Sequence, residues 1–202
     1  MDYYKKFIGK ANFMKIICAI ILIVLVARLI MLLGVAVYEL SPQAMDDNHV
    51  VTIEGNYTKF VNSELRFTRI SLGNEIINPK TDFPKSLPST FAGLYFITAL
   101  MQLPIIMIFW WSYGIFKELT IGRTPFVASI FQKIKKIGII AILFGALFSI
   151  VYSVLLQVFV IGFNGFTNPI NFYLILIGII LLIVSEVLEY GQRLQSEIDE
   201  TL

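Results

Sequence analysis

From Ile16 to about Leu40 the chain is almost wholly apolar, and a run of that kind leaves few architectures open. As a helix rising about 1.5 Å per residue, it is long enough to cross the roughly 30 Å of hydrocarbon in a bilayer. Backbone in lipid must satisfy its own N–H and C=O groups, so such a run is read as a membrane-spanning helix. Comparable runs recur at 90–113, 137–161 and from 172 to about 187. A signal peptide is the competing reading of the first run. Its length and the lack of an A-x-A site favour a retained anchor. Only 15% of residues are charged, against about 25% in an average soluble domain, and 57% are hydrophobic. The expected fold class is an all-α membrane protein, a four-transmembrane-helix bundle with a small extracytoplasmic β meander between helices 1 and 2.

Charge sets the expected orientation. Lys5, Lys6, Lys10 and Lys15 punctuate a basic, aromatic arm, and Lys117, Arg123, Lys133, Lys135 and Lys136 crowd the elbow at 114–136. Basic loops favour the cytoplasmic side, and Trp110, Trp111 and Tyr113 suit the headgroup depth just before the elbow. Residues 1–40 are thus an arm and first crossing, 41–89 an outer segment, and 90–113 the second crossing. The third crossing, 137–161, follows the elbow, and an outer turn at 162–171 leads to a fourth helix and acidic tail at 172–202. This arrangement is expected to put both termini on the cytoplasmic side of the membrane. Within the outer segment, V-V-T-I-E, Y-T-K-F-V and L-R-F-T-R-I-S-L gather β-formers between Gly55-Asn56 and Asn62-Ser63 turns.

Two polar side chains lie in the expected spans. Arg28 falls near the middle of the first, where a charge costs at least about 2.5 kcal/mol, so it should face protein or water. Gln102, at similar depth on the second, could hold it as a structural cation; the functional alternative is a ligand contact or relay. The third run carries Ala141, Gly145, Ser149 and Ser153 at four-residue intervals, a small-residue stripe that lets helices approach closely. Packing inside one bundle is the first reading of this stripe, and a homo-oligomer face is the second.

No residue set here points to catalysis. One histidine, His49, cannot build an H-E-x-x-H metal site, and Cys18 as the single cysteine excludes a multi-cysteine site. Neither a phosphate loop nor a nucleophile with a base at credible spacing is visible, so no cofactor is expected. A net charge of +2, without basic segments interleaved with stacking aromatics, argues against direct nucleic-acid binding.

The cytoplasmic features are more distinctive. Gly122-Arg123-Thr124-Pro125-Phe126 ends one helix and restarts another, with Thr124 suited to a cap and Pro125 to the first helical position. The last helix continues through Glu186, Glu189, Gly191, Leu194, Glu197 and Asp199. Glu189 can pair with Arg193 four residues on, and Glu186 is placed to meet Lys133 or Lys136. The G-x-P-F elbow, together with a final helix ending G-x-x-L-x-x-E-x-D, resembles a family of small bacterial four-helix membrane proteins of unassigned function. The resemblance covers roughly Gly114 to Leu202. It implies a non-enzymatic regulatory or protective role, often beside a small helix-turn-helix regulator of the Cro/C1 type. The expected partners are the lipid bilayer and such a cytoplasmic regulator. The alternative is a small transporter or immunity factor that handles a peptide or lipophilic compound near Arg28 and Gln102.

Overall fold

The computed structural model describes residues 2–42, 49–54, 57–62, 69–73, 87–121, 127–159 and 170–201. Four α-helices dominate them: α1 (Asp2–Glu39), α2 (Leu87–Thr120), α3 (Ala128–Phe159) and α4 (Phe172–Thr201). The basic arm and the first apolar run are one helix, since nothing between Asp2 and Ile16 breaks the pattern. At 38 residues α1 measures roughly 57 Å, well beyond the hydrocarbon thickness. Pro104 lies inside α2 without ending it, although its ring removes one N–H from the helical ladder. Asn171 caps α4: the N–H of Leu174 donates to Asn171 Oδ1 at 3.2 Å, satisfying a donor that the first turn leaves unpaired.

Between α1 and α2, three strands, β1 (His49–Glu54), β2 (Tyr57–Asn62) and β3 (Arg69–Gly73), pair antiparallel in the order β1-β2-β3. Their register runs from His49 opposite Asn62 to Glu54 opposite Tyr57, and from Tyr57 opposite Gly73 to Val61 opposite Arg69. Asn62 is therefore the last rung of a ladder, not a turn residue. Residues 55, 56 and 63 lie outside the described residues.

The expected fold class needs correction. Among the described residues, three helices are long and apolar enough to cross a membrane, Lys6–Glu39, Ser89–Thr120 and Phe172–Ile198, so the expected bundle of four crossings does not stand. α3 is not one of them. Lys133, Lys135 and Lys136 all fall within its first three turns.

The chain divides into two compact units, Met1–Val26 with Pro104–Ala146 and Asn171–Leu202, and Ala27–Leu103 with Leu147–Ile170. In the second unit, Leu32, Val35 and Ala36 of α1 form a buried core with Phe91, Leu94, Tyr95, Ile97 and Ala99 of α2. The spacing of three and four residues on α1 puts its contributors on one helical stripe. Glu39, 1% exposed, is buried in the same unit.

In the first unit, α3 and α4 cross at glycines. A Cβ on Gly178 would lie 2.6 Å from Ile142 Cγ1 and 2.7 Å from the Gly138 carbonyl oxygen. One on Gly145 would lie 2.9 Å from Ile175 Cγ1 and 3.0 Å from the Asn171 carbonyl oxygen. Only hydrogen fits at these positions, which brings the two backbones together as close helix contact in lipid requires. The Asn171 N–H also donates to the Gly145 carbonyl at 3.0 Å. Facing outward are Ile23, Ile30 and Val37 of α1 and Leu176, Ile180 and Ile183 of α4, all exposed. So much apolar surface is poorly suited to water and well suited to lipid, consistent with a membrane protein.

Candidate functional site at the junction of the second and third helices

The α2–α3 junction gathers the most specific polar contacts. Glu118, in the last turn of α2, accepts from the Ser129 hydroxyl and from Lys133 Nζ, both on α3. The Glu118 and Lys133 side chains are only 16% and 24% exposed, so water screens the pair less than it would at an open surface. Gly114 lies one turn before Glu118 and makes room: a Cβ there would meet Lys133 Nζ at 3.3 Å. Another turn back, Lys136 Nζ lies 5.8 Å from the Trp111 ring centroid, within cation–π range. The turn that ends α2 is closed by Ile121 N–H to the Glu118 carbonyl at 3.1 Å, and by the Thr120 hydroxyl to the Lys117 carbonyl at 2.7 Å.

These contacts fix direction. Trp111, Gly114 and Glu118 meet Lys136, Lys133 and Ser129 in reverse order, so α2 and α3 run antiparallel. Gly138 meets Gly178 while Gly145 meets Asn171, so α3 and α4 are antiparallel too. The α4 residues beyond Leu182 therefore extend toward the end of the unit that holds the junction. A cleft of about 400 Å³ opens there, lined by Trp110, Tyr113, Lys117, Glu118, Ile121 and Lys133, among others.

The residues singled out from sequence are distributed as follows. Gly122, Arg123, Thr124, Pro125 and Phe126 lie outside the described residues. Of the expected polar pair, Gln102 is 5% exposed on α2, while Arg28 is exposed on α1 between exposed Val24 and Met31. Of the small-residue stripe, Ala141, Gly145 and Ser153 are buried, Ala141 and Gly145 in the first unit and Ser153 in the second; the side chain of Ser149 lies outside the description.

On the tail, Arg193 Nη2 donates to Glu189 Oε1 at 2.9 Å, the (i, i+4) pair that one helix face offers. Glu186 and Glu197 are exposed, Gly191 is half-buried, Leu194 and Ile198 are 41% and 59% exposed, and the Asp199 side chain is outside the description. The expected meeting of Glu186 with Lys133 or Lys136 is corrected. Glu118 holds Lys133, because the α2–α3 hairpin brings those two face to face, and Lys136 lies over Trp111.

Sequence reasoning missed Glu118, Ser129, Gly138 and Gly178. The lengths of the arms on either side of 122–126 could have suggested the first two, since an antiparallel hairpin must set the end of α2 against the start of α3. Among the described residues, no group of three or more His, Cys, Asp and Glu side chains gathers as a metal ion would require. The arrangement defines a helical protein of membrane-spanning character with an ion-paired junction at one end. No family model, curated protein or solved structure matches the chain.

Proposed function

We propose that the chain is a non-enzymatic regulatory protein of the bacterial inner membrane, and that the end bearing the α2–α3 junction and the α4 tail faces the cytoplasm and captures a cytoplasmic partner. The resemblance in the elbow and tail motifs names the class of partner, a small helix-turn-helix regulator of the Cro/C1 type. The observation that carries the reading is the tail itself. α4 stays helical to Thr201, with Leu194, Glu197 and Ile198 exposed at spacings of three and four that put them on one face. A partner helix could take the two apolar side chains as anchors and the acid as an orienting charge.

Engaging this face costs little within the protein. The Glu189–Arg193 pair, with the arginine 73% exposed, contributes about 0 to 1 kcal/mol, so a partner can exchange it readily. Lys133 is already held by Glu118, which leaves the tail acids without that cation as a competitor. Pull-down from solubilised membranes with a small helix-turn-helix regulator of the Cro/C1 type tests the reading. Wild-type protein should retain it, while deletion of 195–202 or Glu197→Lys should abolish retention and leave the helices folded. Retention that survives both changes removes the tail from the mechanism.

A further inference from the structure

The cleft at the junction is lined by residues that the tail reading does not use. It lies between the end of α2 and the start of α3, and its wall changes character along α2. Just before the cleft on α2 Met107 is exposed and apolar; within the cleft Trp110, 66% exposed, comes first, Tyr113 follows, and Lys117 closes the series. Apolar, aromatic and then cationic is the order met by a molecule lying from the hydrocarbon to the headgroup layer.

Charge narrows the occupant. The acid that lines the cleft, Glu118, is matched by Lys133, so among the described residues lining it Lys117 is the cation left over for a ligand. Lys136, held over Trp111 on the neighbouring wall, adds a second positive charge nearby. The residual field thus favours an anion. A volume of about 400 Å³ admits a headgroup and the first carbons of its chains, and is far too small for a macromolecule. A free phosphate in water would need several convergent donors to bind well, whereas an amphiphile gains from the apolar wall as well as from the lysine.

We propose that this cleft binds an anionic phospholipid, with the headgroup phosphate at Lys117 and the upper acyl chains against Trp110 and Met107. The indole and the methionine supply contact area, and Lys117 supplies the preference for an anionic over a zwitterionic headgroup. The site is on the α2–α3 junction and not on the tail, so its failure in a test and the failure of the partner reading are separate results.

The full chain in a neutral detergent is titrated with phosphatidylglycerol, with phosphatidylcholine of the same acyl chains, and with inorganic phosphate, and the thermal midpoint is followed. Phosphatidylglycerol should raise the midpoint by several degrees more than phosphatidylcholine, and inorganic phosphate should leave it unchanged. A lysine near an anionic headgroup is worth a factor of about five in affinity, so Lys117→Gln should weaken half-saturation by phosphatidylglycerol about fivefold. Lys135→Gln, an equal loss of charge on exposed α3 surface, should change it by less than about twofold. Trp110→Leu keeps every charge and should also weaken binding, which tests the site even where the lysine variant does not fold. Equal response to the two lipids, or equal loss in Lys117→Gln and Lys135→Gln, overturns the proposal by reducing it to bulk surface charge. A full shift with inorganic phosphate assigns the site to a soluble phosphate compound and overturns the lipid, as does unaltered binding in Trp110→Leu.

Discussion

Gly178→Ala is a one-carbon change whose consequence can be worked from the α3–α4 crossing. The added Cβ would lie 2.6 Å from Ile142 Cγ1, 2.7 Å from the Gly138 carbonyl oxygen and 3.0 Å from the Ile142 backbone nitrogen. The isoleucine can change rotamer, but the carbonyl and the nitrogen are helix backbone, and relief requires the helices to part. Overpacking of this kind costs about 1 to 3 kcal/mol. Parting the helices also stretches the 3.0 Å Asn171–Gly145 hydrogen bond a short distance away. Against this stands the better helix propensity of alanine, worth up to about 1 kcal/mol. The net loss should be about 1 to 2 kcal/mol. Gly9→Ala is the control in the same unit, because nothing lies within 4 Å of a Cβ there, so propensity acts alone and the variant should be neutral or stabilised by up to about 1 kcal/mol. Equilibrium unfolding in mixed micelles of mild detergent and dodecyl sulfate, followed by circular dichroism, gives both values. A Gly178→Ala protein as resistant to dodecyl sulfate as Gly9→Ala would refute the close crossing.

Three further outcomes follow from the same structure. Glu118→Gln and Lys133→Gln should each destabilise by about 1 to 2 kcal/mol and the double variant by clearly less than their sum; additive losses in the cycle would mean the two side chains are not coupled. Ser185 is 1% exposed and its hydroxyl has no hydrogen-bond partner among the described residues, so Ser185→Ala should raise stability by about 1 kcal/mol, whereas a loss of that size would reveal a bonded hydroxyl. In a Cys18→Ala background, Thr120→Cys and Ile198→Cys should both be shielded from an impermeant thiol reagent in intact cells while Tyr57→Cys is labelled; opposite behaviour at 120 and 198 would put the junction and the tail in different compartments.

Three of the expected spans were readable because hydropathy needs only composition along the chain; the Asn171 cap at the start of α4 emerges from the structure. Pairing across the junction was not readable. Lys133 had several acids within sequence reach, and only the hairpin register selects Glu118 over Glu186. The stripe at Ala141, Gly145, Ser149 and Ser153 shows a subtler limit. Each four-residue step overshoots a helical turn by about 40°, so three steps rotate the row by about 120° and carry it off any one partner. A seven-residue step misses by only about 20°. Gly138 and Gly145 stay on one face for that reason, and α4 approaches there.

The two attachments between α3 and α4 have a mechanical consequence. Asn171 is bonded to the Gly145 carbonyl at the start of α4, and one stretch further along Gly178 is seated against Gly138 and Ile142. Sliding α4 by one turn, about 5.4 Å, would break the first attachment and drive side chains into the space of the second. Piston motion is thereby closed to this pair of helices. What remains is flexure of α4 beyond buried Ser185, where the exposed tail carries the Glu189–Arg193 pair along one face. A load on the tail would therefore be felt as a bend about a fixed fulcrum and not as a push along the helix axis.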